Sequence, residues 1–344
     1  MLFKLQSFLK KLDHSPKDVV GLDFGTTGLK CVRLKKTPAG IILVGADIIA
    51  PVLFPSDPES LPNPPALVLP KALQASYGAL ALPSDQAIIK VLSFPGEFTA
   101  ETEHQIVPHM GLEKPDLFRI NYKILINGHA RSESRVLAAG YPSAQAAFAP
   151  RLFPLGPPAP CSIEISGLAT LSAFMNRQDR KGTTETVGHL EIGEKSSLFS
   201  LFTRSVPVLI RKFDFGVDSV MNQVRQGLGV SPQVAIDIVS SGSIDISHWV
   251  SEAAQPFIKQ LLVSRDFVER RENCRIRQFF LSGGGGAFAP LRKEVEVAFD
   301  LEFVTWNPLE DFSSETAILG KSVPGQECRL TAATGAALSV LEKS

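Results

Sequence analysis

The chain has 344 residues, 44% of them hydrophobic, so it can bury a large core and reads as two lobes rather than a disordered chain. Lysine plus arginine and aspartate plus glutamate number 35 each, and this zero balance removes the long-range field that nucleic-acid and membrane-coating proteins carry. Cys31, Cys161, Cys274 and Cys328 form no CxxC pair, which argues against a zinc site or a disulfide framework and fits a reducing cytoplasm.

Residues 1–17 hold Leu2, Leu5, Phe8, Leu9 and Leu12 at helical spacing, with Lys4, Lys10 and Lys11 between them. This amphipathic segment reads as a short interfacial helix or as a helix docked on the body, and alone it would hold lipid only weakly. It lacks the apolar core and cleavage site of a signal peptide. No run reaches the ~20 apolar residues of a membrane-spanning helix, because Asp47 interrupts the early stretch and glycines the late one.

Val19–Phe24, Cys31–Lys35 and Ile41–Ile49 read as a three-stranded meander, with Pro38-Ala39-Gly40 at its second turn. Seven prolines between Pro51 and Pro70 exclude a sheet interior or a long helix, so that stretch reads as a loop. A short helix near Leu67–Ser76 and the strand Tyr77–Leu82 complete the first part of lobe I, residues 18–85. An inserted subdomain is expected over 86–158: strand Ala87–Phe94, a helix from Thr99 to about Met110, then strands Phe118–Ile126 and Arg135–Tyr141 around Asn127-Gly128-His129. The proline-rich Pro150–Pro160 is the seam back to lobe I. The second part of that lobe, 159–185, holds a strand edge and helix in Ile163–Arg177.

Lobe II is expected over 186–322. Val187–Ile192 and Leu198–Thr203 form a hairpin-like pair around Gly193–Ser197, repeating the grammar of the opening meander. Val217, Val220, Met221, Val224 and Leu228 mark one buried face of a helix that Gly229 stops. Ser231-Pro232 opens a second helix, and a third runs from Ile246 to about Arg271. Strand Ile276–Leu281, four glycines, helix Pro290–Phe299 and strand Leu301–Val304 finish the lobe. The last segment, 323–344, returns to lobe I with the helix Thr331–Leu341.

Three turns suit a phosphate. In Asp23-Phe24-Gly25-Thr26-Thr27-Gly28-Leu29-Lys30 a strand ends in a carboxylate, small residues allow close backbone approach to an anion, and Lys30 adds positive charge. Leu190-Glu191-Ile192-Gly193-Glu194-Lys195-Ser196-Ser197 repeats the pattern. Two such turns facing each other across a cleft would grip a polyphosphate, with the acids holding magnesium through its waters. In the third, a strand runs through Ser282 into Gly283-Gly284-Gly285-Gly286 and then a helix, where bare backbone admits a flat ring or a phosphate. Each turn taken alone also suits an ordinary tight connection. Gly320-Lys321-Ser322 imitates the end of a Walker A loop, but Glu315 stands where the first glycine belongs. His104 and His109 are off the spacing of a helical metal pair, and no GxSxG elbow is present.

In order and spacing the three turns resemble the phosphate-1, phosphate-2 and adenosine segments of the actin and sugar-kinase ATPase fold. More narrowly, the chain resembles the PilM family of type IV pilus assembly, close to the division protein FtsA and the cytoplasmic domain of GspL of type II secretion. The segments VVGLDFGTTGLKCVRLK, ALALPSDQAIIKVLSFPG, VPHMGLEKPDLFRINYKIL, FDFGVDSVMNQVRQGLGVSPQVAIDI and FFLSGGGGAFAPLRKEVEVAFDLEFVTWNPLEDF carry the match, over nearly the whole chain.

The resemblance implies an α/β, two-lobed actin-like ATPase (ribonuclease H-like) fold with a small subdomain inserted in the first lobe. It implies ATP and Mg2+ as cofactors, with Asp23, Gly25, Thr26, Thr27 and Lys30 lining the β- and γ-phosphates. Gly193, Lys195 and Ser196 would lie opposite, Asp23 and Glu191 would hold magnesium through water, and Gly283, Gly284, Gly285 and Gly286 would take the adenosine side. PilM-like proteins capture the cytoplasmic N-terminal peptide of an inner-membrane partner, PilN, in a groove beside the inserted subdomain, here about Gln86–Tyr141. A cytoplasmic location with recruitment to the inner membrane follows, and self-association is left open.

Two departures bear on turnover. Glu191 replaces the family's usual aspartate and moves the carboxylate by roughly one methylene, where ~1 Å errors are costly in catalysis. Lys195 replaces a small residue. The expectation is therefore an ATP-binding scaffold with slow or absent hydrolysis and no assigned catalytic residue. The alternatives are a degenerate interaction module without nucleotide, and a sugar kinase-type phosphotransferase, for which no catalytic carboxylate stands out.

Overall fold

The computed structural model of the chain describes residues 16–342 apart from 56, 62, 130, 131, 155, 183 and 315. The expected N-terminal amphipathic helix lies outside the described residues. The chain forms two compact units, Met1–Gly182 with Asn307–Ser344, and Thr183–Trp306.

The first unit opens with strands β1 (Asp18–Gly25), β2 (Gly28–Thr37) and β3 (Gly40–Ile49), the expected antiparallel meander. Strand β4 (Tyr77–Leu82) then pairs parallel with β1. The proline-rich connection between β3 and β4 makes no strand, as its composition dictates, yet it is tied down. Gln145 donates to the Pro55 carbonyl, Arg151 to those of Pro58 and Leu61, and the Leu67 N–H to Leu152. Phe54 packs between Phe24 and Phe148, with ring centroids 5.3 and 5.2 Å away. The helix expected near Leu67–Ser76 is a single 3-10 turn, Lys71–Leu73, because extended Pro70 precedes it and β4 begins at Tyr77.

A small antiparallel sheet follows: β5 (Ile88–Pro95), helices α1 (Ala100–Glu103) and α2 (Ile106–Met110), β6 (Phe118–Ile126) and β7 (Glu133–Pro142), in the order β5-β7-β6. Leu92, Phe94, Phe98, Ile106, Met110 and Val136 form its own core. The one helix expected over Thr99–Met110 is two, because Pro108 has no N–H for the carbonyl four residues earlier, at His104. Helix α3 (Ser143–Phe148) leads back to β8 (Ala159–Ile165), which pairs parallel with β4, and then to α4 (Ser166–Lys181).

The second unit contains β9 (Thr186–Ile192), β10 (Ser197–Thr203), β11 (Val206–Phe213), α5 (Val217–Leu228), α6 (Pro232–Ser241), α7 (Ser247–Glu272), β12 (Gln278–Ser282), α8 (Ala289–Phe299) and β13 (Phe303–Thr305). Strand β11, absent from the sequence expectations, completes a second meander. Arg204 and Ser205 turn its hairpin with φ of 50° and 63°, a left-handed pair that carries no glycine or asparagine signal. Pro207 is tolerated because β11 is a sheet edge. Val220 and Val224 of the expected α5 stripe are fully buried, and stacked Phe199, Phe279 and Phe303 fill the core between sheet and helices.

The chain returns to the first unit through β14 (Ile318–Leu319), beside β3, and α9 (Thr331–Leu341). Every residue of α9 is buried, which explains its apolar character on all sides. Small residues set its contacts: a Cβ on Gly21 of β1 would fall 1.8 Å from the Ala333 carbonyl oxygen, and one on Gly335 would fall 1.8 Å from that of Ala169 in α4.

The sheets are β14-β3-β2-β1-β4-β8 and β11-β10-β9-β12-β13. Leaving out β14, both are an antiparallel meander whose first strand is followed outward by two parallel strands. This is the duplicated α/β topology of the actin-like ATPase fold, so the echo between the two halves of the sequence is an echo of fold. No helix among the described residues is long and apolar enough to cross a membrane.

Candidate functional site

In open α/β sheets, ligands bind outside the carboxyl ends of the parallel strands, where loops and helix N-termini gather. In the first unit those ends are Asp23–Gly25 on β1, Leu82–Ser84 after β4 and Ile165–Ser166 after β8. The β1–β2 hairpin pairs Gly25 with Gly28 and Asp23 with Lys30, leaving Thr26 and Thr27 as its exposed tip.

Asp23 and Lys30 are both almost buried, at 7% and 8% exposure, and their charges meet at 3.7 Å. The ammonium lies across Gly25, where a Cβ would stand only 1.9 Å from Lys30 Nζ. A side chain at position 25 would push the ammonium away from its place over the turn. The Ser166 hydroxyl donates to Asp23 Oδ1, and the Gly167 N–H donates to Ser84 Oγ at 2.8 Å. Both donors belong to the first turn of α4, whose dipole further favours the Asp23 carboxylate. Cys31, next along β2, has its thiol pKa pushed far up by burial and then by Asp47 and Asp23, which makes it a structural thiol rather than a nucleophile.

In the second unit the second and third turns are neighbours. Strands β9 and β12 run parallel with Glu191 opposite Ser282, so the Gly193–Ser196 turn and the glycine run leave the sheet side by side. The glycines press against β9: Cβ atoms on Gly283 and Gly285 would lie 2.3 Å from the Ile192 carbonyl oxygen and 2.2 Å from its side chain. Gly283 also has φ +81°, whereas Gly284 is exposed with nothing within 4 Å of a notional Cβ. Buried Gly286 would place a Cβ 3.1 Å from Leu281 Cγ, so three of the four glycines have packing reasons, and Gly284 is the open face. The run itself is a 3-10 turn, Gly284–Ala287, leading into α8.

The Gly193–Ser196 turn is closed by the Gly193 N–H donating to the Ser196 carbonyl at 3.0 Å. The first N–H groups of α5, at Val217 and Asp218, donate to the carbonyls of Gly193 and Glu194, and glycine at 216 permits that approach. Lys195 stands exposed at the tip, while Glu191 and Ser196 are half-buried. Beneath the glycine run, fully buried His189 shares a 2.9 Å hydrogen bond with Ser282 and packs edge-on against Trp306.

Sequence reasoning missed two contributors. Ser166 heads a helix with no motif to mark it. Arg329, in a 3-10 turn at Glu327–Arg329, reaches the tip of the first hairpin, where its Nη2 donates to Thr27 Oγ1 at 3.0 Å. Neither has a signal in its own neighbourhood, since each acts on a turn more than a hundred residues away. Among the described residues no three His, Cys, Asp or Glu side chains gather as a metal-binding group.

No protein-family model and no curated protein matches this sequence. Solved structures do. A chain of the PilM–PilN type IV pilus biogenesis complex superposes with a TM-score of 0.73 at 16% identity, over 94% of this chain and 98% of that one. Weaker likenesses include a Bacteroides thetaiotaomicron protein with an actin-like ATPase fold and unknown function, with TM-score 0.48 and 13% identity over 86% of this chain and 93% of that one. Another is the archaeal actin homologue Ta0583 in complex with ADP, with TM-score 0.44 and 11% identity over 95% and 100%. The chain thus has the actin-like ATPase fold, and at the level of fold its resemblance to the PilM–PilN complex extends over nearly all of its length.

Proposed function

We propose that this chain is an ATP-binding scaffold of a type IV pilus or type II secretion-like inner-membrane platform, and that it captures the cytoplasmic N-terminal peptide of a bitopic, PilN-like partner. The observation that carries the reading is the fold shared with the PilM–PilN complex across 94% of the chain. The strand-end turns support the nucleotide part, because they combine close backbone approach, small residues and charge at the position where this sheet topology binds ligands.

In this reading the turn of Asp23, Gly25, Thr26, Thr27 and Lys30 in the first unit and the turn of Gly193, Lys195 and Ser196 in the second are each phosphate-facing, the Lys30 charge being already matched by Asp23. Gly283, Gly284, Gly285 and Gly286 lie along the adenosine, with Gly284 giving the ring its open face. Asp23 would be the first unit's carboxylate toward a hydrated Mg2+ and Glu191 the second unit's, and the ion would supply charge neutralisation to the phosphates. The protein works at the cytoplasmic face of the inner membrane as a binding platform, with ATP hydrolysis slow or absent.

One observation favours the second reading, an interaction module without nucleotide: the Lys30 charge is already neutralised by Asp23. A single experiment separates the two. Immobilised protein is exposed to detergent-solubilised inner membranes with and without Mg·ATP, and a synthetic peptide of the captured protein's cytoplasmic N-terminus is used as competitor. The scaffold reading expects one bitopic protein, displaced by its own N-terminal peptide, with capture responding to ATP. Capture indifferent to ATP favours the nucleotide-free module, and no peptide-displaceable capture contradicts the partner assignment.

A further inference from the structure

The first hairpin needs a cation to receive phosphate, and Lys30 is not free to be that cation. Its ammonium is 3.7 Å from Asp23, both side chains are about 10% exposed, and the pair contributes no net charge. The uncompensated positive charge at this turn belongs to Arg329. Its Nη2 donates to Thr27 Oγ1 at 3.0 Å and to the Thr27 carbonyl at 3.5 Å, and Nη1 donates to Gln326 Oε1 at 3.4 Å. Its Nε is buried without a hydrogen-bond partner. Among the described residues no carboxylate lies within ion-pair distance of it.

We propose that Arg329 is an anion-binding residue of the Thr26-Thr27 turn and takes a phosphate group of a nucleoside polyphosphate, an inference that rests on the reading of the chain as an ATP binder. Three features make the side chain fit the task. Its backbone is anchored, because Cys328 and Leu330 on either side are buried and α9 follows at Thr331. Its fork is aimed at the turn by neutral acceptors only, so a phosphate arriving over the exposed Thr26 and Thr27 exchanges weak partners for a charged one. A guanidinium keeps its charge at any physiological pH and presents five donors in a plane, which matches two phosphate oxygens better than an ammonium does.

The test is titration calorimetry of ATP, inorganic tripolyphosphate and adenosine with wild-type protein, Arg329→Ala and Arg329→Lys, alongside melting of each unliganded protein. Loss of a charge-assisted contact should weaken ATP and tripolyphosphate binding to Arg329→Ala by roughly ten- to a hundredfold, with adenosine affinity unchanged. Arg329→Lys should fall between. ATP binding by wild type that is unaltered in Arg329→Ala overturns the inference alone. An equal loss for ATP and adenosine overturns it too, since that marks a structural role. Wild-type protein that binds neither ATP nor tripolyphosphate overturns the ATP reading and this inference with it. Should Arg329→Ala fail to fold, Arg329→Lys decides, through a selective loss for the phosphate ligands or none.

Discussion

Lys30 lies across Gly25 and closes an ion pair with Asp23, 3.7 Å from its carboxylate, at the carboxyl end of the central strand of the first sheet. The pair joins facing residues of β1 and β2, and Ser166 at the start of α4 holds the other oxygen of Asp23. Three elements are thereby fastened at one point, and the turn beyond them is preorganised before any ligand arrives.

Because both partners are almost out of water, removing one leaves the other stranded. Lys30→Met should destabilise the protein by about 1–3 kcal/mol, below the full cost of a deeply buried pair because the turn borders solvent. Asp23→Asn combined with Lys30→Met should recover most of that loss. Urea unfolding of Lys30→Met, Asp23→Asn and the double variant checks this, and an additive double mutant would mean the two charges are not coupled.

The four consecutive glycines should separate by substitution. Gly283→Ala meets both φ +81° and the Ile192 carbonyl, and Gly285→Ala meets the Ile192 side chain, so each should unfold the protein at distinctly lower temperature. Gly284→Ala has open space and should melt within about 0.5 kcal/mol of wild type, as surface changes do. Its adenosine affinity should nevertheless fall, because the methyl occupies the ring's face; unchanged affinity removes Gly284 from the site.

Helix α9 sets two effects against each other. Alanine at 335 would gain about 1 kcal/mol of helix propensity, but its methyl would stand 1.8 Å from the Ala169 carbonyl oxygen, a backbone atom that cannot swing aside. Overpacking costs about 1–3 kcal/mol or more, so Gly335→Ala should be net destabilising in thermal melts. A stabilised variant would show that α4 and α9 are farther apart than described.

Alkaline pH should weaken the fold through its thiols. Burial pushes Cys161 up from the ordinary 9.0 to about 12, and Cys31 and Cys328 are raised too, again chiefly by burial. Above pH 9 the unfolded chain releases thiol protons that the folded chain retains, so stability is intact below pH 9 and declines as pH rises through 9 toward 12. Thiol titration should accordingly find half-buried Cys274 reactive in the native state and the other three only on unfolding. Four thiols reacting at one rate in native protein would contradict the burial.

Much of the fold was legible because its signals are local. Val19–Phe24 is apolar enough to be a central strand, the α5 stripe recurs at helical spacing, and the Ser282–Gly286 run can only turn. The β11 strand was hidden because Arg204 and Ser205 adopt a left-handed pair that neither residue advertises, and because Pro207 reads as a breaker until the strand is known to be an edge. The proline-rich loop reads as unconstrained since its anchors, Gln145 and Arg151, come from the far side of the inserted subdomain. At the site, position and charge were readable but pairing was not: composition cannot say that Lys30 is neutralised by Asp23 while Arg329 is left to face Thr27.

The central claim is that this actin-like chain binds ATP. Calorimetric titration of the wild-type protein with Mg·ATP, with phosphate release followed in the same samples, tests it most directly. The account predicts saturable binding of one nucleotide per chain with little or no phosphate released. Absence of binding up to millimolar Mg·ATP by folded protein would contradict it.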